Sequence, residues 1–365
     1  MRRSRWAALA VLLAGAVVLL LALREQEPPR SRAGATFPRM RDEEVARMHR
    51  RATLALPSVS EPATAAPKRD PLLVALPIKP DSPVVVFEIN ALRYSPLGER
   101  FLACVRAQDQ NRFADIVRKT GIDPLKDIDR VAFVGDSTVV SGQFDHAHWN
   151  ELGSPGEPYG QAGRIYVTSS GAVGAWRDQI AVFASGPDDV RTAIDQLEGR
   201  SAVPDTGFPE ELTYGEIYGL VPGAAARRIL GGEGGEGGEG GLLNRVASLA
   251  SRVELHVDAM QDLNAEVRVR GEDAAGLSDL ADGLGAALTA ARVKSKLTGN
   301  KHLSTLLEKA KVRPGEREFS LQLSVPAARV GELFGDDCKI FGPPTARAGD
   351  DRAPKLQTEA VGGPT

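Results

Sequence analysis

Two spacings of hydrophobic residues alternate along most of this chain, one typical of strands and one typical of helices. Residues 84–89 are β-branched and aromatic and predict a strand, while 130–134 and 138–142 predict a hairpin with a Gly-Asp-Ser turn. A helix is predicted at 187–197, which opens with proline and acidic residues and carries apolar residues at helical spacing. This pattern predicts an α+β protein.

The second half of the chain repeats this order of elements. Strands are predicted at 216–221, 252–257, 263–270 and 318–325, and a long helix carries leucines at helical spacing after residue 273. Two stretches rich in glycine predict loops, one of them at 153–163. The other is the Gly/Glu repeat at 231–241, which has no side chain suited to a core.

Short segments of the two halves also match residue by residue. Val140-Ser141-Gly142 corresponds to Val269-Arg270-Gly271, and an aspartate follows each segment before a helix. Upstream, Arg130-Val131 corresponds to Arg252-Val253. Glycine lets a strand end bend and aspartate caps a helix, so these matches have structural roles. We therefore predict two ferredoxin-like β-α-β-β-α-β units with helix-backed, mainly antiparallel sheets, or one continuous sheet made from both.

The N-terminal residues predict attachment to a membrane. Residues 7–23 are apolar and uncharged, and as a helix they would span roughly 26 Å of a hydrocarbon core about 30 Å thick. Arginines before this run favour a cytoplasmic N-terminus, which places the body in the periplasm behind a single-pass inner-membrane helix. A cleaved signal peptide is the alternative, but Leu21 and Leu23 are bulky at the candidate cleavage site.

The predicted organisation follows from these segments. Proline and arginine are frequent between the apolar run and the first strand, which is typical of an extended tether. The predicted parts are an N-terminal membrane anchor or signal at 1–23, a Pro/Arg-rich tether at 24–80, a first α+β unit at 81–205, a second α+β unit at 206–340 containing the Gly/Glu loop at 231–241, and a disordered tail at 341–365.

Two motifs carry a resemblance to a known class. V-x-G-x-F-D at 140–145 and ASGPDDVRTAIDQLEG at 184–199 are similar to segments of uncharacterised bacterial membrane-anchored envelope proteins with duplicated α+β modules. The resemblance extends over residues 83–335. It implies the fold and an envelope location, and it brings no activity with it.

Charge and cysteine content indicate which classes of partner and which redox compartment to expect. The net charge of −3 comes from 45 basic and 48 acidic residues without a basic, aromatic-interleaved run, which argues against nucleic acid as a partner. In an oxidising compartment Cys104 and Cys338 are candidates for one disulfide, and two separately buried thiols are the alternative.

Few residues suggest a metal-binding, catalytic or ligand-binding site. His146 and His148 beside Asp145 are the best metal or acid–base candidates, although no third ligand is evident and a surface pair is the alternative. Trp149 and Trp176 are candidates for a ligand groove, with ordinary core packing as the alternative. We predict no catalytic residue, no metal site and no cofactor, because the G-x-x-x-x-G-K-[ST], H-E-x-x-H, G-x-S-x-G and C-x-x-C motifs are absent. A G-x-G-x-x-G match at 232–237 belongs to the Gly/Glu repeat and follows no predicted strand.

The function expected from the sequence is that of a membrane-tethered extracytoplasmic binding or scaffolding protein. The membrane partner is contacted through residues 7–23, and the body is expected to bind an envelope protein, a glycan or a lipid. One alternative is an envelope hydrolase whose carboxylates or histidines converge only in the fold. Another is a structural part of an oligomeric envelope assembly.

Overall fold

A computed structural model of the chain describes residues 70–79, 81–108, 110–203, 212–230, 239–298 and 307–329. Residues 7–23 lie outside these ranges, and no helix within them combines the length and apolar character needed to span a membrane. The elements of the first half are α1 (Pro71–Val74), β1 (Val84–Phe87), α2 (Ile89–Leu92), α3 (Pro96–Gln108), α4 (Gln110–Thr120), β2 (Ile128–Val134), β3 (Ser137–Gly142), β4 (Glu157–Tyr159), β5 (Gly163–Thr168), β6 (Gly171–Trp176), β7 (Ile180–Ala184) and α5 (Pro187–Leu197).

The second half continues the sheet. Its described elements are β8 (Ile217–Pro222), α6 (Gly223–Leu230), α7 (Glu239–Leu249), β9 (Arg252–Asp258), β10 (Leu263–Arg270), α8 (Ala274–Thr298), β11 (Lys311–Pro314) and β12 (Glu318–Val325). A single sheet of twelve described strands results, in the order β11-β12-β10-β9-β8-β1-β2-β3-β7-β6-β5-β4. Every neighbouring pair is antiparallel, and the two halves meet where β1 pairs with β8.

Local sequence explains several element boundaries. Ser95 caps α3 because its Oγ accepts a hydrogen bond from the Gly98 amide at 2.9 Å, and Pro96 is the first helical residue. The β2–β3 hairpin turns at Gly135, whose φ of 54° suits glycine. These boundaries agree with the predicted α+β pattern.

The ferredoxin-like duplication is not confirmed. β1 and β2 are antiparallel neighbours although helices connect them, whereas a βαβ crossover joins parallel strands. The first half also extends into four further strands, so the loop predicted at 153–163 contains β4 and the start of β5. Sequence pattern missed β4 because Glu157–Tyr159 is a three-residue edge strand with no buried face.

The end of the predicted tether belongs to the folded body. Leu72, Val74, Ala75 and Leu76 are buried in the same core cluster as the first half of the sheet. Asp70 accepts a hydrogen bond from the Leu72 amide at 3.0 Å and so caps the single turn of α1. The tether boundary at residue 80 is therefore wrong, because proline-rich composition concealed a short apolar segment. We call residues 70–79 the strap.

The register assigns each strand side chain to one of two faces of the sheet. In the first half, α1 and α5 cover the front face through apolar contacts, and Trp149 and its aromatic neighbours cover the back face. In the second half, the apolar clusters that join described helices to the sheet all lie on the back face. The front face of the second half carries polar residues instead, and the candidate functional site lies on that face.

Candidate functional site

The front face of the second half holds an ionic cluster on three adjacent strands. Its members are Arg252 and Glu254 on β9, Glu266, Arg268 and Arg270 on β10, and Glu318 on β12. They alternate along each strand with apolar residues of the back face, so strand geometry alone brings them together. Three guanidinium groups face three carboxylates, and the cluster is neutral as a whole.

The ionic cluster is closely paired. Arg252 Nη2 lies 2.8 Å from Glu254 Oε1, and Arg270 Nε lies 2.9 Å from Glu318 Oε2. Arg268 lies 3.2 Å from Glu266 and 3.5 Å from Glu254. Burial works to lower the pKa of Arg268, but Glu266 and the other carboxylates outweigh it and raise that pKa. The Arg268 guanidinium therefore stays charged at neutral pH.

Beside the ionic cluster lies a group of polar side chains that we call the amide patch: His256 on β9, Asn264 on β10 and Gln322 on β12. Their exposed fractions are 0 %, 5 % and 6 %, and the register places His256, Glu266 and Gln322 in one row across the sheet. The amide oxygens of Asn264 and Gln322 have no hydrogen-bond partner, and the His256 ring interacts with the backbone of Tyr214. Unpartnered polar atoms are rare inside proteins, so their concentration here needs an explanation.

His256 is stacked on Tyr214, with ring centroids 3.9 Å apart and planes at 3°. Burial lowers the pKa of His256 to about 4 although a hydrogen bond with the Tyr214 backbone works to raise it, and the positive charge of Arg268 acts in the same direction as burial. The imidazole is therefore neutral at pH 7, with one N–H donor and one acceptor nitrogen.

A second buried network joins the strap to the centre of the sheet. Asp70 accepts two hydrogen bonds from Arg130, at 2.5 and 2.8 Å, and the Tyr218 hydroxyl donates to Glu88 at 2.9 Å. Burial works to lower the pKa of Arg130, but the Asp70 carboxylate, with Glu88 beyond it, raises it. The arrangement is a bidentate ion pair that fixes the strap to β2.

Three buried acidic residues occupy neighbouring backbone positions at one end of β1, β8 and β9. Glu88, Glu216 and Asp258 follow one another there, and the Glu88 amide donates to the Glu216 carbonyl oxygen at 2.8 Å. The Glu216 carboxylate accepts from the Ala259 amide at 2.6 Å, and Asp258 accepts from the Met260 amide at 3.2 Å. The fold thus places acidic residues that are far apart in sequence on adjacent strands.

The histidines singled out in the sequence lie elsewhere, on the surface of the first half. His146 Nδ1 is 3.1 Å from Asp145, and its Nε2 is 3.1 Å from Asp127. The hydrogen bond to Asp145, followed by that to Asp127, raises the pKa of His146. His148 does not join them, and its backbone amide donates to the Thr120 carbonyl oxygen at 2.7 Å. Among the described residues, no group of three His, Cys, Asp or Glu side chains is arranged to hold a metal ion.

The two tryptophans are separated by the sheet. Trp149 is buried on the back face, with its ring 5.7 Å from that of Phe144 and 6.4 Å from that of Tyr166. Trp176 is buried on the front face in the cluster that contains Ile194 of α5. The two side chains do not line one groove, so the groove hypothesis is wrong.

Cys104 lies on α3 and is buried against the back face of the second half, in the same cluster as Leu255 and Leu323. It is disulfide-bonded. Cys338 lies outside the described residues, so the pairing of Cys104 with Cys338 stays a prediction.

Sequence reasoning missed the ionic cluster and the amide patch. The available signal was the alternation of Arg252, Glu254, His256 and Asp258 with apolar residues, which is also the pattern of an ordinary solvent-facing strand. Burial of Glu254 and His256 distinguishes the two interpretations, and burial depends on what packs above the strand.

Comparison with known proteins identifies no family. No family model matches the chain, and no curated protein matches it. Two crystal forms of one protein are among the solved structures similar to it. The "Structure of crystal form I of TP0453" has a TM-score of 0.39 and 11 % identity, covering 74 % of this chain and 98 % of that one. The "Structure of crystal form III of TP0453" has a TM-score of 0.40 and 13 % identity, covering 72 % and 96 %. At these values the similarity supports no inference about function.

Proposed function

We propose that this chain is a membrane-tethered extracytoplasmic binding or scaffolding protein of the bacterial envelope, and that its partner contacts the front face of the second half. One observation carries the proposal. The described helices cover the apolar front face of the first half, whereas those of the second half pack on the back. The front side chains of Arg252, Arg270 and Glu318 keep 35 %, 36 % and 38 % of their surface exposed.

The chemistry of this face favours a polar partner. Because its charges neutralise one another, the ionic cluster supplies directional hydrogen bonds more than net attraction. Glycans and the polar surfaces of proteins offer matching groups. The periplasmic location is proposed from the apolar run at 7–23, and the strap begins the folded body directly after the tether.

A crosslinking experiment in living cells tests the partner surface. A photoreactive amino acid replaces Glu318 on the polar front face, and the matched control replaces Glu157, an acidic residue on the front side of β4 at the other end of the sheet. We expect a discrete crosslinked species with the probe at 318 and none with the probe at 157. Equal crosslinking at both positions, or at neither, would reject the proposed surface.

A reporter fusion tests the location independently. Alkaline phosphatase fused after residue 335 is expected to be active, because that enzyme needs the oxidising periplasm for its disulfides. An inactive phosphatase fusion, together with an active cytoplasmic reporter at the same junction, would place the body inside the cell and reject the localisation.

The neighbouring positions of Glu88, Glu216 and Asp258 on adjacent strands motivate a hydrolase as the second candidate function, because hydrolases of glycosidic bonds use two nearby carboxylates. The test is release of labelled fragments from peptidoglycan by the purified chain, compared with the Glu88→Gln and Glu216→Gln variants. Release that both variants abolish would favour the hydrolase, and release that persists in both would reject these carboxylates as its catalytic residues.

We further propose that the two halves are repeats of one unit. The strand registers support this: Val131 pairs with Val140 in the first hairpin, and the corresponding residues Val253 and Val269 pair in the second. The β1–β8 pairing is compatible with a two-fold relation centred on Val85 opposite Gly219. An experimental structure in which a two-fold rotation superimposes β1–β2–β3 on β8–β9–β10 would support the repeat, and unrelated orientations would reject it.

A further inference from the structure

We propose that the basic pair Lys68-Arg69, at the end of the predicted tether, docks on the buried acidic residues Glu88, Glu216 and Asp258 at the seam between the two halves. We call these three residues the acidic row. The docking fixes the direction in which the tether leaves the folded body, beside the polar front face of the second half. This inference goes beyond the proposed function and does not depend on which partner that face binds.

The acidic row lies along one line across the strands. The registers pair the last residue of β1 with the first of β8, and the first of β8 with the next-to-last of β9. Glu88, Glu216 and Asp258 therefore lie opposite one another one position further along. The Tyr218 hydroxyl donates to the Glu88 carboxylate at 2.9 Å, and Tyr218 belongs to the front-face core. None of the three acidic residues is more than 7 % exposed.

The described residues of this line do not balance its acidic side chains. Arg130 on β2 continues the line next to Glu88, and its guanidinium forms the bidentate ion pair with Asp70. Arg130 is the one basic residue among the described members of the line, and it faces Asp70 together with the acidic row. Burying carboxylates costs free energy unless cations lie beside them, so the line favours a further basic group.

A buried amide oxygen extends the same line. Asn264 on β10 pairs with Asp258 and is 5 % exposed. Its Nδ2 donates to the Asp262 carbonyl oxygen at 3.3 Å, so its Oδ1 is the acceptor that has no hydrogen-bond partner. Carboxylates and an amide oxygen all accept hydrogen bonds. Their occupant must therefore carry several donors, as the side chains of lysine and arginine do.

The strap delivers the basic pair to this line. Lys68 and Arg69 come directly before Asp70, which is fixed to Arg130. Neighbouring strands lie about 4.8 Å apart, so Arg130 and Asp258, three strands apart, are separated by about 14 Å. Two extended residues cover about 7 Å of this distance, and the long side chains of the pair extend the reach.

The direction of the chain before Asp70 follows from what already covers the sheet. The strap runs from Asp70 over the front face of the first half, where Lys79 pairs with Asp189 of α5 at 2.8 Å. The described helices of the second half pack on the back face. The side of Asp70 towards the second half is therefore the one left for the preceding residues. The site needs no cavity for a diffusing ligand, because its occupant belongs to the same chain.

Urea denaturation of the full chain in a zwitterionic detergent tests the docking. Replacing the basic pair by Lys68→Gln and Arg69→Gln together should lower the urea midpoint by about 0.5 M, because the acidic row loses its cations. The matched control is Arg50→Gln with Arg51→Gln, which removes the same charge from the tether far from the strap and should leave the midpoint unchanged. In a Glu216→Gln background the loss should fall to about half or less.

An independent readout needs no substitution. Acetic anhydride modifies accessible lysines, and mass spectrometry measures the rate at each position. Lys68 should react about tenfold more slowly than Lys126, whose side chain is 79 % exposed.

The inference is overturned if the two double variants have equal midpoints, if the loss is undiminished in a folded Glu216→Gln chain, or if Lys68 reacts as fast as Lys126. Putrescine, at constant ionic strength, probes the alternative occupant. A midpoint that putrescine raises equally in the wild type and in the variant lacking the basic pair would assign the acidic row to a diffusing cation and also overturn it. Failed crosslinking at position 318 would reject the proposed partner surface and leave this docking standing.

Discussion

The front face of the sheet is built in two different ways. In the first half, Val86, Ala132 and Val182 present an apolar surface that the strap and α5 cover. In the second half, Glu254, Glu266 and Gln322 occupy the same face and are almost as deeply buried. The same strand alternation thus supports two opposite interiors, one held by apolar packing and one by ion pairs and hydrogen bonds.

This difference separates stability from recognition. Apolar burial stabilises a fold without requiring a particular direction of contact. Many apolar side chains of suitable size would therefore fit the core of the first half. Burying a charge or an amide costs free energy unless the group has an ion-pair or hydrogen-bond partner. Such groups therefore restrict which groups can lie against them. We therefore expect the binding function in the second half. Substitutions should change the free energy of unfolding by different amounts, and under different conditions, in the two halves.

The largest effect is expected where the strap is fixed to the first half. Asp70→Ala leaves the buried Arg130 guanidinium without its carboxylate and should lower the free energy of unfolding by about 3–5 kcal/mol. Urea denaturation followed by circular dichroism measures the loss. Lys79→Ala removes an exposed ion pair of the same strap with Asp189 and should cost less than about 1 kcal/mol. Equal losses for both variants would show that the Asp70–Arg130 pair does not hold the strap.

The next effect concerns His256 and appears as a dependence on pH. The pKa of His256 is about 4 in the folded chain and near 6.5 when unfolded, so the unfolded chain binds the extra proton first as pH falls. The neutral His256 therefore contributes its full stabilisation above pH 6.5. As the pH falls to 4, the free energy of unfolding should decrease by about 3 kcal/mol from this group. Denaturation at several pH values should show this loss in the wild type but not in His256→Phe.

The exposed His146 provides a control of opposite sign. Its pKa is raised, so its contribution is present below the unfolded pKa and is lost as pH rises through the folded one. His146→Gln should therefore leave the acid-side loss in place. If His256→Phe keeps the full acid dependence, the neutral buried imidazole is not its source.

A smaller effect tests packing in the first half. A β-carbon at position 174 would lie 2.4 Å from Cγ1 of Val190 on α5, so Gly174→Ala should destabilise by about 1–3 kcal/mol. Gly285→Ala on α8 has nothing within 4 Å of the new atom and should stabilise by about 0.5–1 kcal/mol through helix propensity. Thermal denaturation should resolve the two opposite shifts. A neutral Gly174→Ala would show that α5 packs less tightly than the structure has it.

The smallest effect is expected at the rim of the ionic cluster. Glu318→Ala removes a partly exposed carboxylate paired with Arg270 and should cost less than about 1 kcal/mol, decreasing further in high salt. Glu254→Ala removes a fully buried carboxylate of the same cluster and should cost several times more. Equal costs in urea denaturation would mean that the cluster is not graded from a buried centre to an exposed rim.

The sequence predicted many individual elements. The strand Leu263–Arg270, the strand Glu318–Val325 and the helix Pro187–Leu197 lie where the apolar spacing indicates them. Short edge strands and the strap were missed, because β4 has no buried face and α1 is a single turn within a proline-rich segment. The candidate site was missed for a different reason: its side chains come from three strands, and only pairing brings them together.

The sequence by itself determined the alternation of side chains along each strand, the helix and turn boundaries, and hence the α+β class, because these depend on neighbours within a few residues. The tertiary structure alone decided that β1 pairs with β8 to make one sheet, that Asp70 meets Arg130, and that His256 is buried beneath Tyr214. Such contacts join residues far apart in the chain, and burial of a polar side chain is a property of what covers it, which no local pattern encodes.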